Sequence, residues 1–272
     1  MRNLLIRMAT GMVYVGVILC GLLYPGLYPY VFGTVVGLTL WEFYGLMKPF
    51  GCTLSRRIVG VAGGVYLFLA CFAYAGGLAG GNVFLPYILF LMFTFIREMY
   101  SKAANPVYNW ALILLGQVYC AASLSMLNFI LFRHGGEYTP LPGLALFVFV
   151  WVNDTAAYMV GTKLGRHRLF ERISPKKSWE GFWGGLVVTP AVSQVFAAYC
   201  PSITWYKWLG MAVVVVVFAT FGDLIESLMK RTLGVKDSGS LLPGHGGMLD
   251  RFDSILMALP ALYIYIMMFI QS

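Results

Sequence analysis

Between Phe221 and Asp253 the chain crowds carboxylates, cations, a hydroxyl and glycines into little more than thirty positions. The runs are Phe221-Gly222-Asp223, Glu226-Ser227-Leu228-Met229-Lys230-Arg231, Lys236-Asp237-Ser238-Gly239, and Leu242-Pro243-Gly244-His245-Gly246-Gly247-Met248-Leu249-Asp250-Arg251-Phe252-Asp253. On a helix of about 3.6 residues per turn, Asp223, Ser227 and Lys230 fall at i, i+4 and i+7 and share one narrow stripe. Asp250 and Asp253, spaced i and i+3, share a face of any helix that starts near them. Two hard oxygen donors there, with a third from Asp223, suit Mg²⁺, which takes one or two carboxylates and completes its shell with substrate phosphates and water. Lys230, Arg231, Lys236 and Arg251 occupy the same short segment. Mixed cations, carboxylates and a Gly-rich turn fit phosphoryl or nucleotidyl transfer, where catalysis is mostly positioning and neutralising charge around phosphorus. Helix capping by the two aspartates is the simpler alternative, but it leaves the four cations without a reason. His245, between glycines, is either an acid/base or phosphate contact or an exposed turn residue.

Two further clusters precede this one. Asn153-Asp154-Thr155 runs to Tyr158 and leaves an apolar stretch through Gly161, Lys163, Gly165 and Arg166. A carboxylate inside a membrane-length stretch is costly, so Asp154 is expected to face a watery cavity or a partner. The run Ile173-Ser174-Pro175-Lys176-Lys177-Ser178-Trp179-Glu180-Gly181 reads as a helix start, with Ser174 or Ser178 as N-cap and Pro175 in the first turn. Free backbone N–H groups beside Lys176 and Lys177 favour a phosphate; a basic loop that sets orientation and meets anionic lipid is the other reading. Gly181 and Gly185, four apart, mark a close helix–helix contact.

The elements that must position these residues are apolar. The chain has 272 residues, 60% hydrophobic and 11% charged, against about 45–50% apolar and about 25% charged in soluble domains. Stretches of the roughly 20 apolar residues that a bilayer crossing requires recur from end to end. The expected fold is all-α: a polytopic integral membrane protein with about nine transmembrane helices, near 3–23, 28–47, 58–77, 83–97, 108–132, 142–162, 181–199, 205–226 and 252–270. Arg2 and Arg7 flank a first stretch long enough to span and without a small-residue cleavage site, so no cleavable signal peptide is expected. With nine spans, 17 of the 19 Lys and Arg residues lie on the side of the N-terminus, and only Arg133 and Lys207 lie opposite. That imbalance puts the N-terminus and the two polar loops in the cytoplasm and the C-terminus outside. A net charge of +8 spread this way serves anionic lipid and anionic substrates and not nucleic acid. The five cysteines show no metal or disulfide spacing. Residues 1–272 read as one membrane domain. Within it 1–150, with three carboxylates, is mainly scaffold; 151–253, with eight, carries the catalytic motifs; and 252–270 is the last span.

The chain resembles the phosphatidate cytidylyltransferases, or CDP-diacylglycerol synthases. The likeness is close from Ser227 to Asp253, through the Lys230-Arg231 pair, Lys236-Asp237, Pro243-Gly244-His245-Gly246-Gly247 and Asp250-Arg251-Phe252-Asp253. It is looser over Asp154 to Tyr158 and Ile173 to Gly181, where Ser178 stands in place of an equally fitting threonine. The resemblance implies a bacterial inner-membrane enzyme in which the phosphate of phosphatidate attacks the α-phosphorus of CTP, giving CDP-diacylglycerol and pyrophosphate. It implies metal binding by Asp223, Asp250 and Asp253, and phosphate contacts from Ser227, Lys230 and Lys236. Ser174, Lys176 and Lys177 would close the site, and Arg231, Asp237, His245, Arg251 and Asp154 would serve substrate binding. Mg²⁺, a monovalent cation such as K⁺ beside it, and a homodimer are implied by resemblance alone. No G-x-x-x-x-G-K-[ST] phosphate loop occurs, so these clusters must hold the phosphates themselves. Transfer to another lipid phosphate remains the nearest rival. An ion-coupled transporter is the distant one, since such proteins place interrupted spans in both halves of the chain.

Overall fold

The computed structural model describes residues 2–101, 103–132, 136–241 and 246–270, with side chains from residue 9 onward. Among them the α-helices are α1 (Arg2–Leu23), α2 (Tyr28–Leu46), α3 (Leu54–Ala75), α4 (Leu85–Tyr100), α5 (Pro106–Gly116), α6 (Ser123–Leu131), α7 (Leu141–Leu164), α8 (Trp179–Tyr199), α9 (Trp205–Thr232) and α10 (Leu249–Phe269). Two strands, β1 (Arg168–Phe170) and β2 (Ser174–Ser178), form an antiparallel hairpin between α7 and α8. Every apolar segment expected to span is helical. Seven helical stretches of the described residues are long and apolar enough to cross a membrane, with α5 and α6 counting as one, and the chain is an integral membrane protein. The difference from nine lies in the first two segments. The described apolar part of α1 is only Ala9–Leu23, and α2 is diluted by tyrosines, glycines, Trp41 and Glu42.

Contacts divide the chain into two compact units, Met1–Pro140 with Asp237–Phe252, and Leu141–Lys236 with Asp253–Ser272. In the first, α2 packs on α1 and α3, and α3 on α6. Tyr44 is the hub of this packing: its hydroxyl donates to the Ile113 carbonyl at 2.9 Å and accepts from Gln117 Nε2 at 2.9 Å. Its ring occupies the space that side chains on Gly60 and Gly116 would take, since a Cβ at either position would come within 2.5 Å of it. Gln117 opens a π-turn, Gln117–Ala122, that joins α5 to α6. Such a turn holds one residue more than the α-helix it interrupts. Beyond it Asn128 is fully buried and accepts from the Tyr28 hydroxyl at 3.0 Å. Where α3, α4 and α5 meet, Arg56 grips Glu98 through Nε and Nη2, both at 2.7 Å, and Asn109 and Ser101 donate to the same carboxylate. Buried charge persists only when paired and bonded in this manner.

In the second unit α8 lies against α7 and α9. The α7–α8 approach is set by small residues: a Cβ on Gly181 would stand 2.7 Å from the Ala157 carbonyl, and one on Gly185 would run into Asn153 Oδ1. This is the close contact expected of that glycine pair. The α9–α10 approach is as tight, because a Cβ on Gly222 would lie 2.6 Å from the Asp253 carbonyl. The helix start expected at Ser174 or Ser178 resolves in favour of Ser178, whose Oγ accepts from the Gly181 N–H at 3.1 Å. Pro175 sits in β2 and not in a first helical turn. A two-stranded sheet is all edge, where proline's missing N–H costs little, and the lysine-rich run has no apolar face for a helix to bury.

Candidate active site

The second unit contains a cavity of about 580 Å³ between α7, the hairpin, α8 and α9. From α7 it is lined by Asp154, Tyr158 and Gly161, positions that a helix stacks on one side, with Gly165 just beyond its end; the hairpin contributes Arg168, Ser174, Lys176 and Lys177, and α9 contributes Asp223. The hairpin is fixed to α8 at its base, where Glu180 accepts from the backbone N–H of His167 at 3.1 Å and lies 2.7 Å from its Nδ1. Asp154, Ser174, Lys176, Lys177 and Asp223, chosen from the sequence, therefore meet around one space. Arg168 completes its basic lining; its signal, a third cation beside the Lys176-Lys177 run, was open to reading in the sequence.

Asp223 is the most connected of these side chains. Lys177 Nζ stands 2.5 Å from its Oδ2, and Ser227 Oγ donates to its Oδ1 at 3.1 Å. The second bond is the i, i+4 relation expected of this stripe. One turn further, Lys230 Nζ lies 3.4 Å from Glu226 Oε2, and Glu226 is fully buried. Asp253 lies within the electrostatic reach of Asp223 and Lys230 and close to Glu226. Arg231 and Lys236 are exposed. The site of this unit is thus a row of paired charges along the last turns of α9, Asp223 and Glu226 followed by Lys230, with Lys177 reaching Asp223 from the hairpin.

The first unit holds Asp237, Asp250 and Arg251. Asp250 accepts from the Ser238 N–H, at 3.1 Å to Oδ1 and 2.9 Å to Oδ2, and from the Gly247 N–H at 2.8 Å. The bond back to Gly247, three residues earlier, ties the chain just ahead of α10 to its first turn. A residue that sequence reading left in the scaffold joins this group: the buried Glu42 of α2, whose Oε2 accepts from Ser238 Oγ at 3.1 Å and from the Leu249 N–H at 2.8 Å. Its signal was a carboxylate inside an apolar stretch, the rule already applied to Asp154. Asp237 and Arg251 are exposed. His245 lies outside the described residues.

Whether these side chains suit Mg²⁺ follows from their number and charge. Among the described residues no three His, Cys, Asp or Glu side chains gather so that they could hold a metal ion, and the expected trio of Asp223, Asp250 and Asp253 does not form such a group. Asp223 and Asp253 do act on each other electrostatically. A carboxylate pair that leaves most of the shell to phosphate and water is what Mg²⁺ accepts.

A family model for the cytidylyltransferase family matches residues 5–269. The phosphatidate cytidylyltransferase of Haemophilus influenzae is 30% identical over 280 residues, 93% of this chain and 95% of that protein. Those of Staphylococcus saprophyticus and Staphylococcus epidermidis are 46% and 48% identical over 124 and 126 residues, 44% of this chain in each case. This chain thus spans about half the length of those two relatives, 47% of each.

Proposed function

The chain belongs to the cytidylyltransferase family, and from that premise we propose that it is a CTP:phosphatidate cytidylyltransferase that makes CDP-diacylglycerol. The observation that carries the reading is the cavity in which Lys176, Lys177 and Arg168 of the hairpin face Asp223 of α9. Three cations around one space suit phosphate oxygens, and a carboxylate among them suits a phosphate-bound cation. A phosphate oxygen of phosphatidate attacks the α-phosphorus of CTP; the new P–O bond forms as the bond to the bridging oxygen of the β-phosphate breaks, and pyrophosphate leaves. Bound Mg²⁺ would offset negative charge gathered between the two substrates. Asp223 and Asp253 would hold it, and likeness to the family, not the geometry, adds Asp250. Lys177, released from Asp223, would pass to a phosphate, and Ser227, Lys230 and Lys236 would bind phosphates of the triphosphate. Likeness to the family, and no feature of the geometry, supports a K⁺ ion beside the Mg²⁺ and a homodimer; exchanging K⁺ for choline and measuring the mass of the detergent-solubilised protein test these two.

Purified protein with CTP, Mg²⁺ and phosphatidate should release pyrophosphate and a liponucleotide in equal amounts. Product from another lipid phosphate at a higher kcat/KM than from phosphatidate would replace the proposed substrate, and no product from any lipid phosphate would overturn the reading. Asp154→Asn should fold normally yet lower turnover about tenfold or more, because its charge belongs to the cavity wall; full turnover in a folded variant would reduce Asp154 to a structural role.

The one-sided distribution of Lys and Arg supports an inner-membrane protein with its N-terminus, hairpin and Lys236 loop in the cytoplasm. In a chain cleared of its five cysteines, Glu171→Cys and Ser240→Cys should react with an impermeant thiol reagent from the same face, and Lys207→Cys from the other. Labelling of the first two from opposite faces would refute the orientation.

A further inference from the structure

Glu42 is only 7% exposed, in a helix that is otherwise apolar and aromatic. A buried carboxylate is expensive unless its oxygens are bonded. The partners of this one lie 196 and 207 positions along the chain. One is Ser238, next to Asp237, and the other is Leu249, the first residue of α10. Two glycines mark how closely these stretches wrap the carboxylate. A Cβ on Gly239 would stand 2.6 Å from Glu42 Oε1, and one on Gly247 would collide with Oε2. Ser238 then passes the connection on, because its Oγ accepts from the Asp250 N–H at 3.3 Å while its own N–H donates to the Asp250 carboxylate.

The Leu249 N–H is the first donor of α10 and has no partner within its own helix. Glu42 supplies that partner from α2 and places a negative charge at the positive end of the helix dipole. The cation that acts on Glu42 is Arg57, whose guanidinium lies 3.7 Å from the centre of the Trp41 ring. Glu42 therefore meets these stretches as a hydrogen-bond acceptor, and among the described residues it forms no direct ion pair.

We propose that Glu42 is a positioning residue for the reaction: it joins residues 238–239 and 247–249 on one carboxylate and so fixes the first turn of α10, on which Asp250 and Asp253 are carried. The proposal rests on the cytidylyltransferase reading for its link to catalysis, but its mechanical half does not. Hydrogen exchange at the Leu249 and Asp250 amides and steady-state kinetics should be measured on the full chain in detergent, for the wild type, Glu42→Ala, Glu42→Gln and Ser238→Ala. Glu42→Ala should speed exchange at both amides at least tenfold and lower kcat about ten- to a hundredfold, as loss of a group that orients a metal ligand does, with a smaller change in KM for CTP. Glu42→Gln keeps an acceptor oxygen and should recover most of both effects. Ser238→Ala, which breaks one of these contacts and leaves α2 intact, should reproduce part of the exchange change even if Glu42→Ala does not fold. Wild-type exchange in Glu42→Ala, or in Ser238→Ala where Glu42→Ala does not fold, would overturn the hold on the first turn of α10. Faster exchange with wild-type kcat would overturn the link to catalysis. A wild-type protein that makes no liponucleotide would defeat the functional reading, while the exchange rates would still decide the mechanical claim.

Discussion

Asp253→Asn and Asp223→Asn are each expected to lower liponucleotide formation by about 10²–10³, with melting in detergent close to that of the parent. Two accounts of Asp253 make different demands on the substitution. As a helix-terminal acceptor it needs only an oxygen, and asparagine caps about as well as aspartate. As one of two carboxylates holding a divalent cation it needs charge too. Its surroundings favour the second account: Asp253 lies in the field of Asp223 and close to the fully buried Glu226, a gathering of carboxyl groups that a cap does not require. Asp250 is a poorer test. Its carboxylate takes both the Ser238 and the Gly247 N–H, and an amide would turn a donor toward one of them. Asp250→Asn should therefore lose about 1–3 kcal/mol of stability as well as activity. Wild-type turnover and wild-type Mg²⁺ dependence in both Asp223→Asn and Asp253→Asn, assayed at limiting Mg²⁺, would end the metal assignment.

Gly222→Val should combine the largest loss of stability with a loss of turnover. The Cβ alone would come 2.6 Å from the Asp253 carbonyl and 3.1 Å from the Ser254 Cα, and backbone does not swing aside as a side-chain tip does. Overpacking of this kind costs typically about 1–3 kcal/mol and sometimes more. The strain falls between Asp223, the next residue of α9, and Asp253 itself, so any separation of α9 from α10 also separates the two carboxylates. Gly222→Ala should give the smaller version of both effects. Gly16→Ala is the control, since nothing lies within 4 Å of its added Cβ and alanine is the better helix former. A Gly222→Val protein with parental melting and parental turnover would disprove this account of the α9–α10 contact.

Local features of this molecule were legible in the sequence, and distant ones were not. The helices follow from the length of each apolar stretch, and the Asp223–Ser227 bond from helical spacing. The Gly181–Gly185 contact follows from the need of two backbones to approach. The hairpin was misread as a helix start because proline and serine fit either state, and only pairing with Arg168–Phe170 separates them. Glu42 was left in the scaffold because its partners stand nearly two hundred positions away, beyond any local pattern. Glu98 was passed over in the same way, and its partner Arg56 lies 42 positions earlier. For both, the cost of burying a carboxylate was the usable clue. Applied evenly to every acidic residue in an apolar stretch, it would have flagged each as bonded to something specific, though not to what.

The π-turn at Gln117–Ala122 bears on how this sequence can change by insertion or deletion. Removing one residue there would let the turn close into an unbroken α-helix with the flanking residues nearly in place, whereas removing one from the start of α6 would, with about 3.6 residues per turn, rotate everything beyond by about 100°. Asn128 would swing away from the Tyr28 hydroxyl, and the buried Leu127 and Leu131 would turn off their present contacts. Composition, hydropathy and span length would all survive such a deletion, so no measure of apolar character would register the damage. Outside the π-turn the number of residues between Pro106 and Leu131 is therefore fixed by the fold, and a one-residue length change within this span should collect in the turn itself.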